Sequence, residues 1–167
     1  MRNRVLITML TLLGVVFANE PSKPSTQTAA PPKAESTPKK TELPTVVVYK
    51  TESCGCCAAW VRHMEASGFR VEVHNESNMS PIKRALGVPA DLESCHTAKV
   101  DRYFIEGHVP AEDVRRLLAE RRNALGIAVP RMPIGSPGME QGNRREPYDV
   151  LLVQRSGATS VFAHHGD

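Results

Sequence analysis

Apolar and polar positions fall into recognisable periods from Thr45 onward. The β-branched run "TVVVYKT" (45–51) predicts a buried strand. Glu52 and Ser53 then turn the chain, with Ser53 placed to cap a helix. In "CCAAWVRHMEASG" (56–68), Trp60, Val61 and Met64 recur at helical spacing, and Gly68 supplies the stop. "FRVEVHN" (69–75) alternates as a half-buried strand does. "SPIKRALG" (80–87) opens with Ser80-Pro81 and closes on Gly87, a short helix with both punctuation marks.

The second half continues the pattern. "HTAKVDRYFIEGHV" (96–109) predicts two short strands turning near Asp101-Arg102. "PAEDVRRLLAERR" (110–122) is the clearest helix: Pro110 starts it, Glu112 and Asp113 lie in its first turn, and Arg121 and Arg122 close it, all complementing the dipole. "AVPRMPIGSPGMEQG" (128–142) is a Pro/Gly-rich loop with two methionines. "YDVLLVQ" and "TSVFAHH" flank "RSGA" as a final hairpin. A β-α-β start followed by antiparallel strands and a helix is a mixed α/β pattern compatible with a thioredoxin-like layout. Other α/β sandwiches fit nearly as well on pattern alone, and the position of the cysteines decides for the thioredoxin-like one.

The amino-terminal end has a different texture. "MRNRVLITMLTLLGVVFA" (1–18) opens with two arginines, runs apolar from Val5 to Phe17 and reaches the small residue Ala18. That is the layout of a cleaved secretory leader; the apolar run is shorter than the ~20 residues a membrane span needs. Residues 19–44 hold six of the 13 prolines and almost no large apolar side chain, which predicts a disordered tether. Residues 45–167 then suit one compact domain. The expectation is an exported, periplasmic protein with no stable membrane span after cleavage. Net charge is only +3 and aromatic residues are 5% of the chain, with no basic patch interleaved by aromatics, which argues against nucleic-acid binding.

The chemistry gathers at Cys54-Gly55-Cys56-Cys57, where the first strand hands over to the first helix; Cys95 is the fourth cysteine. In an exported chain four cysteines ordinarily mean two disulfides. Adjacent Cys56 and Cys57 pair only with strain, and Cys95 bridges at most one of the three, so cross-linking explains the arrangement badly. Free N–H groups and the positive dipole end of the helix favour thiolate at this position. Cys54 and Cys57 have the spacing of a redox pair, in which Cys56 would be a hazard offering competing pairings. For a metal site the third sulfur is useful. One tetrahedral zinc wants sulfurs spread around it, usually from two separated knuckles. Crowded thiolates suit soft Cu(I), which accepts two or three sulfurs and lets them bridge neighbouring ions. Charge agrees: four thiolates on one Zn²⁺ leave a net charge of about −2, whereas several Cu(I) ions bring the cluster toward neutrality. Cys95 completes such a site if the chain returns across the helix tip; its bland alternative is a buried apolar cysteine.

"YKTESCGCCAAWVRHMEASGF", "LGVPADLESCHTAKV", "IEGHVPAEDVRRLLAER" and "AVPRMPIGSPGME" together resemble the CopG-like family of exported copper-resistance proteins, from about Thr45 to His164. The Cys-Gly-Cys-Cys with a later Ser-Cys-His-Thr is the specific part. The resemblance implies a thioredoxin-like fold, copper ligated by Cys54, Cys56, Cys57 and Cys95, and a role in copper resistance that includes interconversion of Cu(I) and Cu(II). Copper ions are then the partner, with a periplasmic redox or copper-efflux partner that the residues do not name. The chain departs from the family's usual residues at Arg102, Arg122 and Arg131, the first and last standing where glycine is common. The rival from another class is a thiol–disulfide oxidoreductase using Cys54 and Cys57.

Other donors compete with blander roles. If Cys95 and His96 lie on a strand, their side chains point to opposite faces and cannot share one ion. His63, about 10 Å down the helix from Cys56, reads as a surface or packing residue, and Met64 as core. His108 precedes a helix and is placed to cap it or to contact the site. Met132 and Met139 could offer thioethers to Cu(I), or simply pack. His164 and His165 read as a frayed end with adventitious metal affinity.

Overall fold

The computed structural model describes residues 42–166; the leader and almost all of the tether inferred above lie outside them. The elements are β1 (Val46–Lys50), α1 (Gly55–Ala66), β2 (Val71–Asn75), α2 (Ser80–Leu86), β3 (Thr97–Val100), β4 (Tyr103–Glu106), α3 (Ala111–Glu120), β5 (Ala124–Ala128), β6 (Tyr148–Gln154) and β7 (Thr159–His165). Seven strands form one sheet in the order β2-β1-β3-β4-β5-β6-β7. The β1/β2 and β4/β5 pairs are parallel and the others antiparallel. This is the expected mixed α/β architecture, with the cysteine run at the junction of β1 and α1.

Alternation along the strands sorts the core onto two faces. Tyr103 and Ile105 join Trp60 and Met64 of α1 and Val114 and Leu117 of α3, all buried. Phe104 points the other way and packs with Val88, Leu92, Ala128 and Val153. Burying one such large side chain is worth about 1.5–3 kcal/mol, so each face holds its own helices.

β5 escapes the periodicity argument. Its "ALGIA" is short, small and poor in β-formers, yet it lies in the middle of the sheet. Gly126 is what lets it fit: a Cβ there would stand 2.1 Å from the Phe104 carbonyl oxygen on β4. Two smaller differences concern helix ends. Cys54 caps α1, not Ser53, because its sulfur accepts from the Cys57 N–H at 3.3 Å. Arg121 lies past α3 in a left-handed conformation (φ 50°) instead of closing its last turn. The final histidines are not frayed: His164 pairs with Asp149 and His165 with Asp113 on α3, at 2.6 and 2.7 Å.

Register sets where the functional side chains meet. Antiparallel β3 places Thr97 opposite Tyr49, so β3 begins where β1 ends. β4 returns antiparallel with Glu106 opposite Thr97, so the residues after β4 emerge at the same edge. β5 runs parallel to β4 and ends there too, with Ala128 opposite Glu106. Cys54–Cys57, Ser94–His96, Gly107–His108 and the loop after β5 therefore share one end of the sheet.

Candidate metal centre

The four cysteine sulfurs, far apart in sequence only at Cys95, all lie within 4.8 Å of one another. Cys54 and Cys57 are joined as a disulfide, while Cys56 and Cys95 are free thiols. Cys56 Sγ stands 3.5 Å from Cys54 Sγ and 4.0 Å from Cys95 Sγ, which makes it the hub of the group. Cys57 Sγ faces the Cys95 carbonyl at 3.9 Å. Cys57, in the first turn of α1, is fully buried; the other three are half-buried and reachable. Cys54, Cys56 and Cys57 sit at the start of α1, where no acidic side chain competes for the free N–H groups.

Cys95 is held in place from behind. Glu106, Lys83 and Thr97 form a fully buried network at the end of β4. Lys83 Nζ donates to Glu106 and to Thr97 Oγ1, and Thr97 Oγ1 donates to Glu106 Oε2 at 2.6 Å. The remaining capacity of Glu106 goes to the turn that carries Cys95: its Oε1 accepts from the Ser94 N–H at 2.6 Å. The Ser94 hydroxyl donates to the Arg131 carbonyl. Arg131 itself is in a left-handed conformation (φ 64°), one that glycine adopts without a Cβ penalty.

Two histidines belong to this group. Cys95 and His96 precede β3 and are not on a strand, so the expectation of opposite faces fails: Cys95 Sγ lies 3.3 Å from His96 Nδ1. His108 Nε2 is 3.0 Å from the same sulfur. Its other nitrogen, Nδ1, donates to the Pro137 carbonyl at 2.8 Å, which leaves Nε2 as the acceptor facing the thiol. Sequence reasoning weighed both histidines and left them out of the ligand set. The signal that could have found them is positional: one is adjacent to a candidate ligand, and the other follows the strand paired with it.

Burial shapes the protonation states. It pushes the Cys95 thiol up to about 12, with the neighbouring Cys56 adding to the effect. It holds His96 well below the usual histidine range, helped by His108, and lowers His108 as well. In this disulfide-closed state the group is a neutral thiol between neutral imidazoles. A soft metal would have to displace the Cys95 proton, so uptake is coupled to proton release.

The loop after β5 closes the site from above. Gly138 lies on the first turn of α1: a Cβ there would be 2.8 Å from the Cys56 carbonyl oxygen, at a φ of +86° that favours glycine. Glu140 turns back to accept from the Gly138 N–H, at 3.0 and 2.9 Å from its two oxygens. Met139 completes the Gly135–Met139 turn. Met132 is 48% exposed. It lines a groove of about 580 Å³ shared with Tyr148, Asp149 and His164, which includes no cysteine. His63 has a structural task, accepting at 3.1 Å from the Ala111 N–H that starts α3. Met64 is fully buried core.

The donor chemistry fits two uses: dithiol–disulfide exchange at Cys54 and Cys57, and binding of thiophilic metal by all four sulfurs once the disulfide is open. Comparison with known proteins bears on the choice. The family model described as "Protein of unknown function, DUF411" matches residues 92–139, the stretch that holds Cys95, both histidines and the covering loop. No curated protein matches the chain. Two solved structures do: copper resistance protein copG, form 1, is 48% identical with a TM-score of 0.72, covering 75% of this chain and all of its own. Form 2 is also 48% identical, with a TM-score of 0.71, covering 74% of this chain and 99% of its own. At that identity over the whole of a solved relative, the chain belongs to the CopG-like family.

Proposed function

We propose that this protein binds copper in copper resistance, holding Cu(I) on the thiolates of Cys54, Cys56, Cys57 and Cys95 as a sulfur-bridged multinuclear cluster. The observation that carries the reading is the gathering of all four sulfurs within 4.8 Å at the tip of α1. Sulfurs that close can each bridge more than one monovalent ion, and several Cu(I) ions offset the charge of four thiolates far better than one Zn²⁺ does. The two copper resistance relatives supply the biological setting, and residues 1–18 supply the expectation that the protein works outside the cytoplasm, in the periplasm. No helix among the described residues is long and apolar enough to cross a membrane.

The Cys54–Cys57 disulfide ties metal to electrons. Two Cu(II) ions each take one electron from the Cys54 and Cys57 thiolates; the sulfurs join, and two Cu(I) ions result, the thiol protons having gone to solvent. Run backward, opening the disulfide costs two electrons and restores two ligands.

The same disulfide favours a second reading, a thiol–disulfide oxidoreductase in which Cys54, the more accessible sulfur, is attacked first. Cys56→Ser separates the two. A copper cluster loses metal per chain when the hub sulfur goes, measured by anaerobic Cu(I) titration of the reduced protein. An oxidoreductase keeps its exchange rate with a dithiol substrate and takes up copper no differently from the parent.

A further inference from the structure

We propose that the groove beside Cys54 is the docking surface for a dithiol-bearing protein with a basic rim, which returns electrons to the Cys54–Cys57 disulfide. The inference rests on the copper-binding reading, in which that disulfide closes as Cu(II) becomes Cu(I), and it names the class of partner that reopens it.

The two disulfide sulfurs differ in access. Cys57 is fully buried, whereas Cys54 is half-buried. A thiolate from outside therefore reaches Cys54 and drives Cys57 out as the leaving sulfur. Thr51, Glu52 and Ser53, directly before Cys54, form one bank of a groove of about 800 Å³; Asn75, Glu76 and Ser77 form the other. β1 and β2 run parallel, so both banks stand at the carboxyl ends of adjacent strands. Each bank is tied to its neighbour: the Glu76 N–H donates to the Lys50 carbonyl at 2.8 Å, and the Cys54 N–H to the Thr51 carbonyl at 3.2 Å.

Charge selects what enters. Lys50 is only 7% exposed, and its Nζ donates to the Thr51 and Glu52 carbonyls at 3.0 and 3.3 Å. It is thereby spent on backbone, and neither the Glu52 nor the Glu76 carboxylate has an ion-pair partner among the described residues. Two uncompensated carboxylates flanking the accessible sulfur draw in a cationic surface and repel an anionic one.

The electrons have to come from outside. Cys56 and Cys95 are the remaining thiols, and exchange with them only moves the disulfide within the cluster. A partner's first thiolate bonds to Cys54 Sγ as the Cys54–Cys57 bond breaks, and Cys57 leaves as thiolate. The partner's second thiolate then attacks its own first sulfur, forming the partner's disulfide and releasing Cys54 as thiolate. Two electrons pass to this chain, and the partner's two thiol protons go to solvent.

The test uses the full chain, metal-free with the disulfide closed, and two synthetic probes: a Cys-Gly-Pro-Cys peptide flanked by lysines and the same peptide flanked by glutamates. Alkylation after acid quenching, read by mass spectrometry, follows the chain's free thiols as they rise from two to four. At low ionic strength the lysine peptide should reduce the disulfide about tenfold faster, with the gap closing in about 0.5 M salt. Glu52→Gln combined with Glu76→Gln should abolish the preference, while Glu120→Gln, at the far end of α3, should keep it. Amide NMR shifts give a second readout: the lysine peptide with serine in place of both cysteines should move signals of residues 51–53 and 75–77. Equal rates for the two peptides, a preference that survives the double variant, or shifts confined to other parts of the chain would each overturn the docking surface. Cu(I) uptake by the reduced chain reports separately on the four-thiolate reading, so the two can fail independently.

Discussion

The site has two walls made by opposite routes. The sulfur wall of Cys54, Cys56 and Cys57 is local: three residues within one helical turn, capped by a sulfur and set on a helix dipole. The imidazole wall of Cys95, His96 and His108 is assembled from the entrance of β3 and the exit of β4, and it depends on strand register and on a buried ion pair. Cys95 joins the two, its sulfur 4.0 Å from that of Cys56. The difference teaches that a local motif supplies reactivity cheaply, whereas the donors that complete the group come from residues that only the fold brings together.

Substitutions can break this comparison in graded ways. Cys95→Ser removes the member that joins the two walls and should have the largest effect, lowering the Cu(I) count of the reduced chain. An unchanged count would separate Cys95 from the site. Lys83→Met leaves the Glu106 carboxylate buried without its cation; loss of one partner of such a pair costs about 3–5 kcal/mol. Urea unfolding should show that loss, and because Glu106 holds the Ser94 N–H, histidine ring signals should broaden more than those of α1.

Gly138→Ala is a gentler probe. Its Cβ meets the Cys56 carbonyl and its φ is positive, so about 1–3 kcal/mol is expected, together with faster alkylation of Cys56 as the loop lifts. An unchanged alkylation rate would mean that the loop does not guard the sulfur wall.

The smallest effect belongs to His63→Ala, which leaves the first N–H of α3 without its acceptor and should cost about 1 kcal/mol. Burial lowers the His63 pKa in the folded state, so its contribution is complete above the free-imidazole value of about 6.5 and is lost as pH falls through the lower folded value. The stability gap between wild type and variant should therefore narrow on acidification from pH 7.5 to 5. A gap that widens would contradict the assignment.

The sulfur wall was readable because everything that makes it is contiguous: a β-branched strand, a Cys-rich turn, then Trp60, Val61 and Met64 at helical spacing. The edge hairpin and α3 were readable for the same reason. The imidazole wall was only partly readable: the hairpin turning near Asp101-Arg102 was predicted, but nothing near Cys95 says that the turn before Thr97 carries both Cys95 and His96 toward His108. Assuming a strand through Cys95 and His96 put them on opposite faces; the irregular turn held by Glu106 brings them together. β5 was hidden because burial between two strands, and not β-propensity, makes "ALGIA" a strand.

The central claim is that reduced thiols gather several monovalent copper ions into one sulfur-bridged group. X-ray absorption at the copper edge of the anaerobic, Cu(I)-loaded chain tests it most directly. The account predicts an all-sulfur first shell with copper–copper scattering beyond it. A first shell dominated by nitrogen or oxygen, with no copper neighbour, would contradict it.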